Sequence, residues 1–149
     1  MMLILQSRHG LYDEEYIKTT FHTTLKLRTN LLVHTYYKDR MTSETIERES
    51  LIPVSIIEEL LALCKRDPDK VDEIITTFIL FYDSPNTIKV NFEYFRDFNI
   101  IFEAHADFIK VTITDGTYCM IHFQSLLWLM QQLISCDTNE VIDFLYKCK

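Results

Sequence analysis

Basic and aromatic side chains alternate along two predicted strands in the first third of the chain. Side chains at every second position of a strand lie on one face of a sheet, so the pattern predicts a shared face with Lys26, Arg28, His34, Tyr36, Lys38 and Arg40. Residues 24–40 contain four basic residues and one acid, a charge of +3 within a chain of formal net charge −7. Basic groups neutralise phosphates and tyrosine rings stack on bases. This face is therefore predicted to bind single-stranded DNA or RNA. The alternative explanation is a solvated sheet face that offsets its acidic neighbours.

The sequence contains no set of residues at the spacing that catalysis or metal binding requires. The four cysteines, Cys64, Cys119, Cys136 and Cys148, include no close pair, whereas structural zinc sites usually contain C-x-x-C spacing. Cys119 and His122 are predicted to lie on opposite faces of one strand. Only two glycines are present, so a glycine-rich phosphate-binding loop is not expected. We therefore expect a non-enzymatic protein with no catalytic residues, no metal and no cofactor.

The composition favours a single domain that spans residues 1–149. It disfavours binding to duplex DNA and insertion into a membrane. Hydrophobic residues make up 48% of the 149 residues, enough for a sizeable core. Residues 51–149 contain fifteen acids and eight bases, which disfavours neutralisation of duplex phosphates. No apolar run reaches the roughly 18–20 residues of a membrane span, and no secretory signal is recognised. We therefore expect an intracellular protein, nuclear or cytoplasmic, with reduced thiols.

The first half of the chain is predicted to form four strands and then two helices. Alternating apolar and polar residues predict strands at residues 2–7, 18–28, 31–38 and 45–51. Pro53 is expected in the first turn of a helix, a position that accepts proline. Asp67 and Pro68 are typical of the N-cap and first position of a second helix.

The second half is predicted to repeat this order. Strands are expected at residues 87–95, from Phe98 onward, and at residues 108–114 and 117–123. Asp115-Gly116 is typical of a two-residue type I′ hairpin turn, which would pair Thr114 with Thr117. That register places the following side chains together on the core face: Ile109, Val111, Ile113, Tyr118 and Met120.

Two helices are predicted after the hairpin. The first has a leucine-rich stripe, and its spacing places Gln131 and Gln132 on the solvent side. Trp128 lies beside the stripe and is expected to be half buried, with a role as an anchor for a partner as the alternative. Asp137 followed by Glu140 predicts the N-cap of the second helix.

The two halves match at an offset of seventy positions, where Asp67 falls on Asp137 and the apolar helix positions coincide. We therefore predict an α+β fold built as a tandem repeat of a four-stranded antiparallel sheet followed by helices, with units at residues 1–82 and 87–149. This order resembles the Whirly/PUR group of single-stranded nucleic-acid-binding proteins. The layout from Val90 through Asp107 to the helix at residues 125–133 is similar to one unit of that group.

The resemblance implies a protein that binds single strands across sheet surfaces and forms a homo-oligomer through helices or sheet edges. A role as a transcription or replication accessory protein follows from that expectation. The alternative is a protein-interaction or assembly module, clamp-like or polo-box-like, in which sheet edges, acidic helices or Trp128 contact a protein partner and no nucleic acid is bound.

Overall fold

The chain folds as an α+β protein with two antiparallel sheets and four helices among the described residues. The structure is a computed structural model that describes residues 2–7, 17–23, 30–38, 44–81, 99–105 and 107–148. The first half contains β1 (Met2–Ser7), β2 (Ile17–His22), β3 (Asn30–Lys38), β4 (Thr45–Pro53), α1 (Val54–Arg66) and α2 (Pro68–Phe81). The second half contains β5 (Ile100–His105), β6 (Phe108–Ile113), β7 (Tyr118–His122), α3 (Phe123–Ser135) and α4 (Thr138–Lys147). The strand predicted at residues 87–95 lies outside the described residues.

The first sheet is a meander in the order β1-β2-β3-β4, with every neighbouring pair antiparallel. In β3, Leu31, Val33 and Thr35 are buried, while the residues between them are only partly buried. One face of the sheet therefore packs on the core, as the period-2 pattern predicts. The other face, which carries His34 and Tyr36, is called here the β1–β4 outer face.

The second sheet, in the order β5-β6-β7, has a hairpin register that differs from the prediction by one residue. Val111 pairs with Cys119, and Ile113 N donates to Thr117 O at 3.0 Å. The loop therefore has three residues, not two. Gly116 N donates back to Ile113 O at 2.9 Å, and Gly116 has φ +90°, as in a turn that ends on a left-handed glycine.

A one-residue slip exchanges the two faces of a strand, so the predicted core face was wrong for β7. Tyr118 and Met120 are 59% and 42% exposed, while Cys119 and Ile121 are buried. The prediction was correct for β6, where Ile109, Val111 and Ile113 are all buried. The side of this sheet away from the core is called here the β5–β7 outer face.

Both α1 and α3 begin directly where a strand ends, without a connecting loop. Pro53 is the N-cap of α1, with φ −57° and ψ 140°. His122 is the N-cap of α3, with φ −57° and ψ 134°. Pro53 is therefore the last residue of β4 and not, as predicted, in the first helical turn. Extended backbone at the cap is what proline allows, because its ring fixes φ near −65°.

The second helix of each half also begins in a similar way. Val71 N donates to Asp67 O at 3.1 Å, and Val141 N donates to Asp137 O at 3.2 Å. Asp137 is confirmed as an N-cap, since its Oδ1 accepts from Asn139 N at 3.0 Å and from Glu140 N at 3.3 Å. A carboxylate at this position pairs with backbone N–H groups that have no partner inside the helix.

Helix α3 is enclosed on all sides, which contradicts the predicted solvent face. It contacts α1, α2 and strands of both sheets, and every residue from 124 to 133 is buried. Gln131 and Gln132 are 8% and 3% exposed, and Trp128 is 4% exposed and not half buried. The helix has polar residues on one side, but neighbouring elements cover that side as well, so periodicity alone misassigned it.

Contacts between the two halves join them through one continuous core. Gln132 Nε2 donates to Leu5 O at 3.1 Å, and Thr19 Oγ1 donates to Gln132 Oε1. The ring of Phe144 on α4 stacks on Phe21 of β2, with centroids 6.3 Å apart. Lys65 Nζ on α1 donates to carbonyl oxygens at the end of α3, Ile134 O at 3.0 Å and Cys136 O at 2.8 Å. A cation near these carbonyls stabilises the negative end of the helix dipole.

Candidate functional site

The predicted nucleic-acid face is only partly contained in the described residues. His34 and Tyr36 lie on the β1–β4 outer face, as predicted, and both are partly buried. Lys38 is the last residue of β3. Lys26, Arg28 and Arg40 lie outside the described residues, so of the predicted set the structure describes only the three residues of β3.

The neighbours of His34 and Tyr36 on this face include both charges. The strand register places Lys18 of β2 beside Tyr36, while Glu47 and Glu49 of β4 lie opposite Tyr36 and His34. His34 Nε2 is 3.9 Å from Glu47 Oε2. The alternation along β2 is enough to predict that Lys18 lies on this face. Placing Glu47 and Glu49 on the same face also requires the pairing of β4 with β3, which the sequence does not show. By register, the described strands place two acids, Glu47 and Glu49, and two bases, Lys18 and Lys38, on this face, so it has no excess of basic residues.

The β5–β7 outer face exposes four large apolar side chains. Ile101 is 61% exposed, Tyr118 59%, Phe108 47% and Met120 42%. Taking roughly 200 Å² for a large side chain, these fractions correspond to about 400 Å² of apolar surface. That area is within the range of the largest apolar patch on an ordinary monomer, roughly 300–600 Å², and patches of that size often have a function.

Polar contacts hold the side chains of this face in place. Lys110 Nζ lies 4.7 Å from the centroid of the Tyr118 ring, a cation–π arrangement. The His122 ring meets the Phe108 ring edge-on at 5.8 Å. Glu103 Oε2 is 3.4 Å from His105 Nε2, and Glu103 pairs with Lys110 across the strands. One acid and one base at the middle of the face give it no net charge when the histidines are neutral.

His122, at the end of β7, has a structural environment that favours a neutral ring. Burial, together with the positive charge of Arg48, lowers the pKa of His122 to about 4, and Asp107 opposes this shift. His122 Nδ1 accepts a hydrogen bond from Gln124 N at 3.3 Å, which only an unprotonated nitrogen can do. The ring therefore caps α3 and does not supply a proton near neutral pH.

The four cysteine thiols are not activated as nucleophiles. Burial raises the pKa of Cys64 and of Cys119 to about 12, and burial also raises the pKa of Cys136 and Cys148. A thiol reacts as the thiolate, which a raised pKa suppresses. Across the part of the chain that the structure describes, no group of three or more His, Cys, Asp or Glu residues is arranged to hold a metal ion.

A groove of about 330 Å³ lies between α1 and α4, and it is called here the α1–α4 groove. It is lined by Glu58, Leu61, Ala62, Lys65, Thr138, Ile142, Leu145 and Tyr146. Ile142 and Tyr146 are 49% and 77% exposed, while Leu61 and Leu145 are buried beneath them. The groove is therefore an apolar channel on the helical side of the molecule, away from both outer sheet faces.

Comparison of the chain with protein-family models, with curated proteins and with solved structures finds no match. None of the described helices is both long enough and apolar enough to cross a membrane.

Proposed function

We propose that this chain is a non-enzymatic assembly module that self-associates through the β5–β7 outer face. The observation that carries this proposal is the exposure of Ile101, Phe108, Tyr118 and Met120 on one face of a three-stranded sheet. The strands fix the spacing of these side chains, so little conformational entropy is lost when a partner covers them.

A second copy of this chain fits the face better than an unrelated charged partner. Glu103 and Lys110 are cross-strand neighbours at its middle. In a twofold dimer the same patch meets itself, so Glu103 of one copy can lie against the partner's Lys110 and the reverse. The face carries no net charge, whereas the chain as a whole carries −7, so contact at this face brings no excess of like charges together.

The size of the face indicates a weak dimer. Standard interfaces bury about 800 Å² on each partner, and the four apolar side chains supply roughly half of that. We therefore expect association that depends on concentration, rather than a dimer that is permanent at any concentration.

Self-association is tested by sedimentation equilibrium of the whole chain over a roughly hundredfold concentration range. The weight-average mass should rise above 17.8 kDa for the natural sequence. The double variant Tyr118→Lys with Met120→Lys should remain at the monomer mass, because it places charge at the centre of the contact. The matched control is Ile142→Lys with Tyr146→Lys, which changes two exposed apolar side chains on α4 and should associate normally.

Two results would overturn the proposal: a natural chain that stays monomeric throughout, or a Tyr118/Met120 variant that associates as well as the control variant. Circular dichroism of each variant identifies any loss of folding. All of the changed side chains are exposed, so we expect the fold to be retained.

We also infer that the two halves are copies of one ancestral unit, in a Whirly/PUR-like arrangement. Pro53 and His122 give their helices the same entry geometry, and Asp67 and Asp137 accept equivalent bonds at an offset of seventy. Helices α1 and α3 both have thirteen residues. These similarities support the repeat, which a structure determination covering residues 82–98 would test by the presence of a fourth strand in the second sheet.

Single-stranded nucleic-acid binding at the β1–β4 outer face is the second candidate function. It is favoured by the position of Lys18 beside Tyr36, and it is disfavoured by the carboxylates of Glu47 and Glu49 on the same face. Labelled oligonucleotides at low and moderate salt provide the test, because phosphate contacts give a steep salt dependence. Binding that is lost in Lys26→Glu with Arg28→Glu would support this function, and undetectable binding at low salt would exclude it.

A further inference from the structure

One row of cross-strand neighbours on the inward face of the first sheet ends in an arginine. The strand register pairs Leu5 with Thr19 and Thr19 with Thr35. Thr35 in turn pairs with Arg48 of β4. Leu5, Thr19 and Thr35 are buried, and paired residues lie on the same face of a sheet. Arg48 therefore points toward the core, and it is partly buried there.

Helix α3 lies along this row. Near the end of the helix, Gln132 donates to Leu5 O and accepts from Thr19 Oγ1. At its beginning is the N-cap His122. Burial lowers the pKa of His122, and the positive charge of Arg48 nearby lowers it further. Since α3 also contacts β1, β2 and β3, it crosses the sheet from the β4 side towards β1.

The spacing along α3 places Ser125 beside Arg48. Ser125 precedes Gln132 by seven residues, almost two full turns, so the two side chains project from the same side of the helix. Seven residues of a helix span about 10 Å, and the two strand spacings from Thr19 to Arg48 also span about 10 Å. Because Gln132 is bonded at Thr19, Ser125 lies at the Arg48 end of the row.

Ser125 and Arg48 each have an enclosed polar atom without a hydrogen-bond partner. In the part of the chain that the structure describes, Ser125 Oγ and Arg48 Nε make no hydrogen bond, and Ser125 is only 3% exposed. Glu47 and Glu49, the neighbours of Arg48 in β4, lie on the opposite face of the sheet. A guanidinium always carries its charge, and enclosing a charge without a partner is unfavourable. The two groups are therefore available to a negatively charged ligand.

We propose that Arg48, Ser125 and the first turn of α3 bind a small oxyanion, either a carboxylate or a phosphate group. The guanidinium can donate to two oxygens of such a group at once, and the Ser125 hydroxyl can donate to one of them. Ser125 is the third residue of a thirteen-residue helix, so the positive end of the helix dipole lies at the same place. The site is on the inward side of the first sheet and is separate from the β5–β7 outer face.

Isothermal titration calorimetry of the full chain, with inorganic phosphate and separately with acetate at constant ionic strength, tests for this site. At least one of the two anions should bind saturably, with one anion per chain. The anion that binds more tightly identifies which of the two groups the site prefers. The absence of saturable binding by both anions would overturn the proposal.

Two variants locate the binding. Arg48→Met removes the guanidinium and should weaken binding by at least about tenfold, the effect of losing charge-assisted hydrogen bonds. Ser125→Ala should weaken binding by about fivefold through the loss of one hydroxyl donor. The matched control is Arg66→Met, which removes the same charge at an exposed position at the end of α1 and should bind normally.

The fold should be retained in both site variants, because each removes an enclosed atom that has no hydrogen-bond partner in the described structure. Circular dichroism checks this, and Ser125→Ala alone decides if Arg48→Met does not fold. If Arg48→Met bound the anion as tightly as Arg66→Met, or Ser125→Ala as tightly as the natural chain, the site would be refuted, whatever the outcome for self-association.

Discussion

The buried contact between Gln132 and the first sheet should be a main source of stability between the two halves. Gln132 Nε2 donates to Leu5 O, and its Oε1 accepts from Thr19 Oγ1. All three groups are in the interior, with Thr19 fully buried and Gln132 3% exposed. Replacing Gln132 by leucine keeps a side chain of similar size but leaves a carbonyl and a hydroxyl without their partner.

The expected cost follows from those two orphaned groups. A buried polar group that loses its hydrogen bond costs about 1–3 kcal/mol, so Gln132→Leu should lower the free energy of unfolding by about 2–4 kcal/mol. For a chain of this length, 1 kcal/mol shifts Tm by roughly 2–4 °C, so a decrease of about 5–15 °C is expected. Adding Thr19→Val removes one of the orphaned groups. The double variant should therefore recover about 1–2 kcal/mol relative to the sum of the single variants.

Urea denaturation followed by circular dichroism measures each corner of this double-mutant cycle. Gln131→Leu is the matched control, because Gln131 is adjacent and buried. Its Oε1 has no hydrogen-bond partner in the described part of the chain. That control should be neutral or stabilising. An additive cycle, or equal destabilisation by the two leucine variants, would refute the structural role of the Gln132 contact.

Three further changes should also alter stability in urea denaturation. Lys65→Met should lower the free energy of unfolding by about 1–2 kcal/mol, because it removes a charged donor from two carbonyls. Lys147→Met, at an exposed position, should lower it much less. Gly116→Ala should cost about 1–2 kcal/mol, because φ +90° is strained for alanine although no atom obstructs its Cβ. Burial, with the Arg48 charge, lowers the pKa of His122 from 6.5 to about 4. Between these values only the unfolded chain binds the proton, so stability falls as pH falls, by about 1–2 kcal/mol after solvent screening. His122→Asn, which retains a capping oxygen, should remove that part of the pH dependence.

The order of elements could be predicted from the sequence, because each signal acts within a few residues. Local backbone geometry is specified by Asp67-Pro68, by the Asp137 cap and by the runs of alternating apolar and polar residues. The length of the hairpin loop could not be predicted. Asp-Gly suits both a two-residue type I′ turn and a three-residue loop that ends on a left-handed glycine. The residues of β7 do not decide between them, since apolar side chains occupy both faces in Tyr118-Cys119-Met120-Ile121.

The environment of α3 could not be predicted either, because it depends on elements distant in the sequence. Periodicity separates a leucine-rich side from a glutamine-bearing side, and it gives no information about which neighbours cover the second side. Gln132 is buried because Thr19 and the carbonyl of Leu5, more than one hundred residues earlier, supply its hydrogen bonds. A polar residue in a helix therefore indicates a solvent-exposed side of that helix only when no hydrogen-bond partner in the interior is available to it.

The candidate site depends on the same long-range information. Alternation correctly placed His34 and Tyr36 on one face, but the charge of that face is set by the neighbouring strand, where Glu47 and Glu49 lie opposite them. A basic face was predicted from one stretch of sequence, and an adjacent strand supplies acids to it. This physical reason makes the β1–β4 outer face a weaker candidate for binding phosphate than the sequence indicates.

The three-residue hairpin loop decides which surface is available for association. With a two-residue loop, Cys119 and Ile121 would face outward and the bulky Tyr118 and Met120 inward. The observed register instead exposes about 400 Å² of apolar surface on each copy. Standard interfaces bury about 800 Å² on each partner, so this surface is about half of what a stable complex usually buries. A dimer at the β5–β7 outer face should therefore form and dissociate with changes in protein concentration.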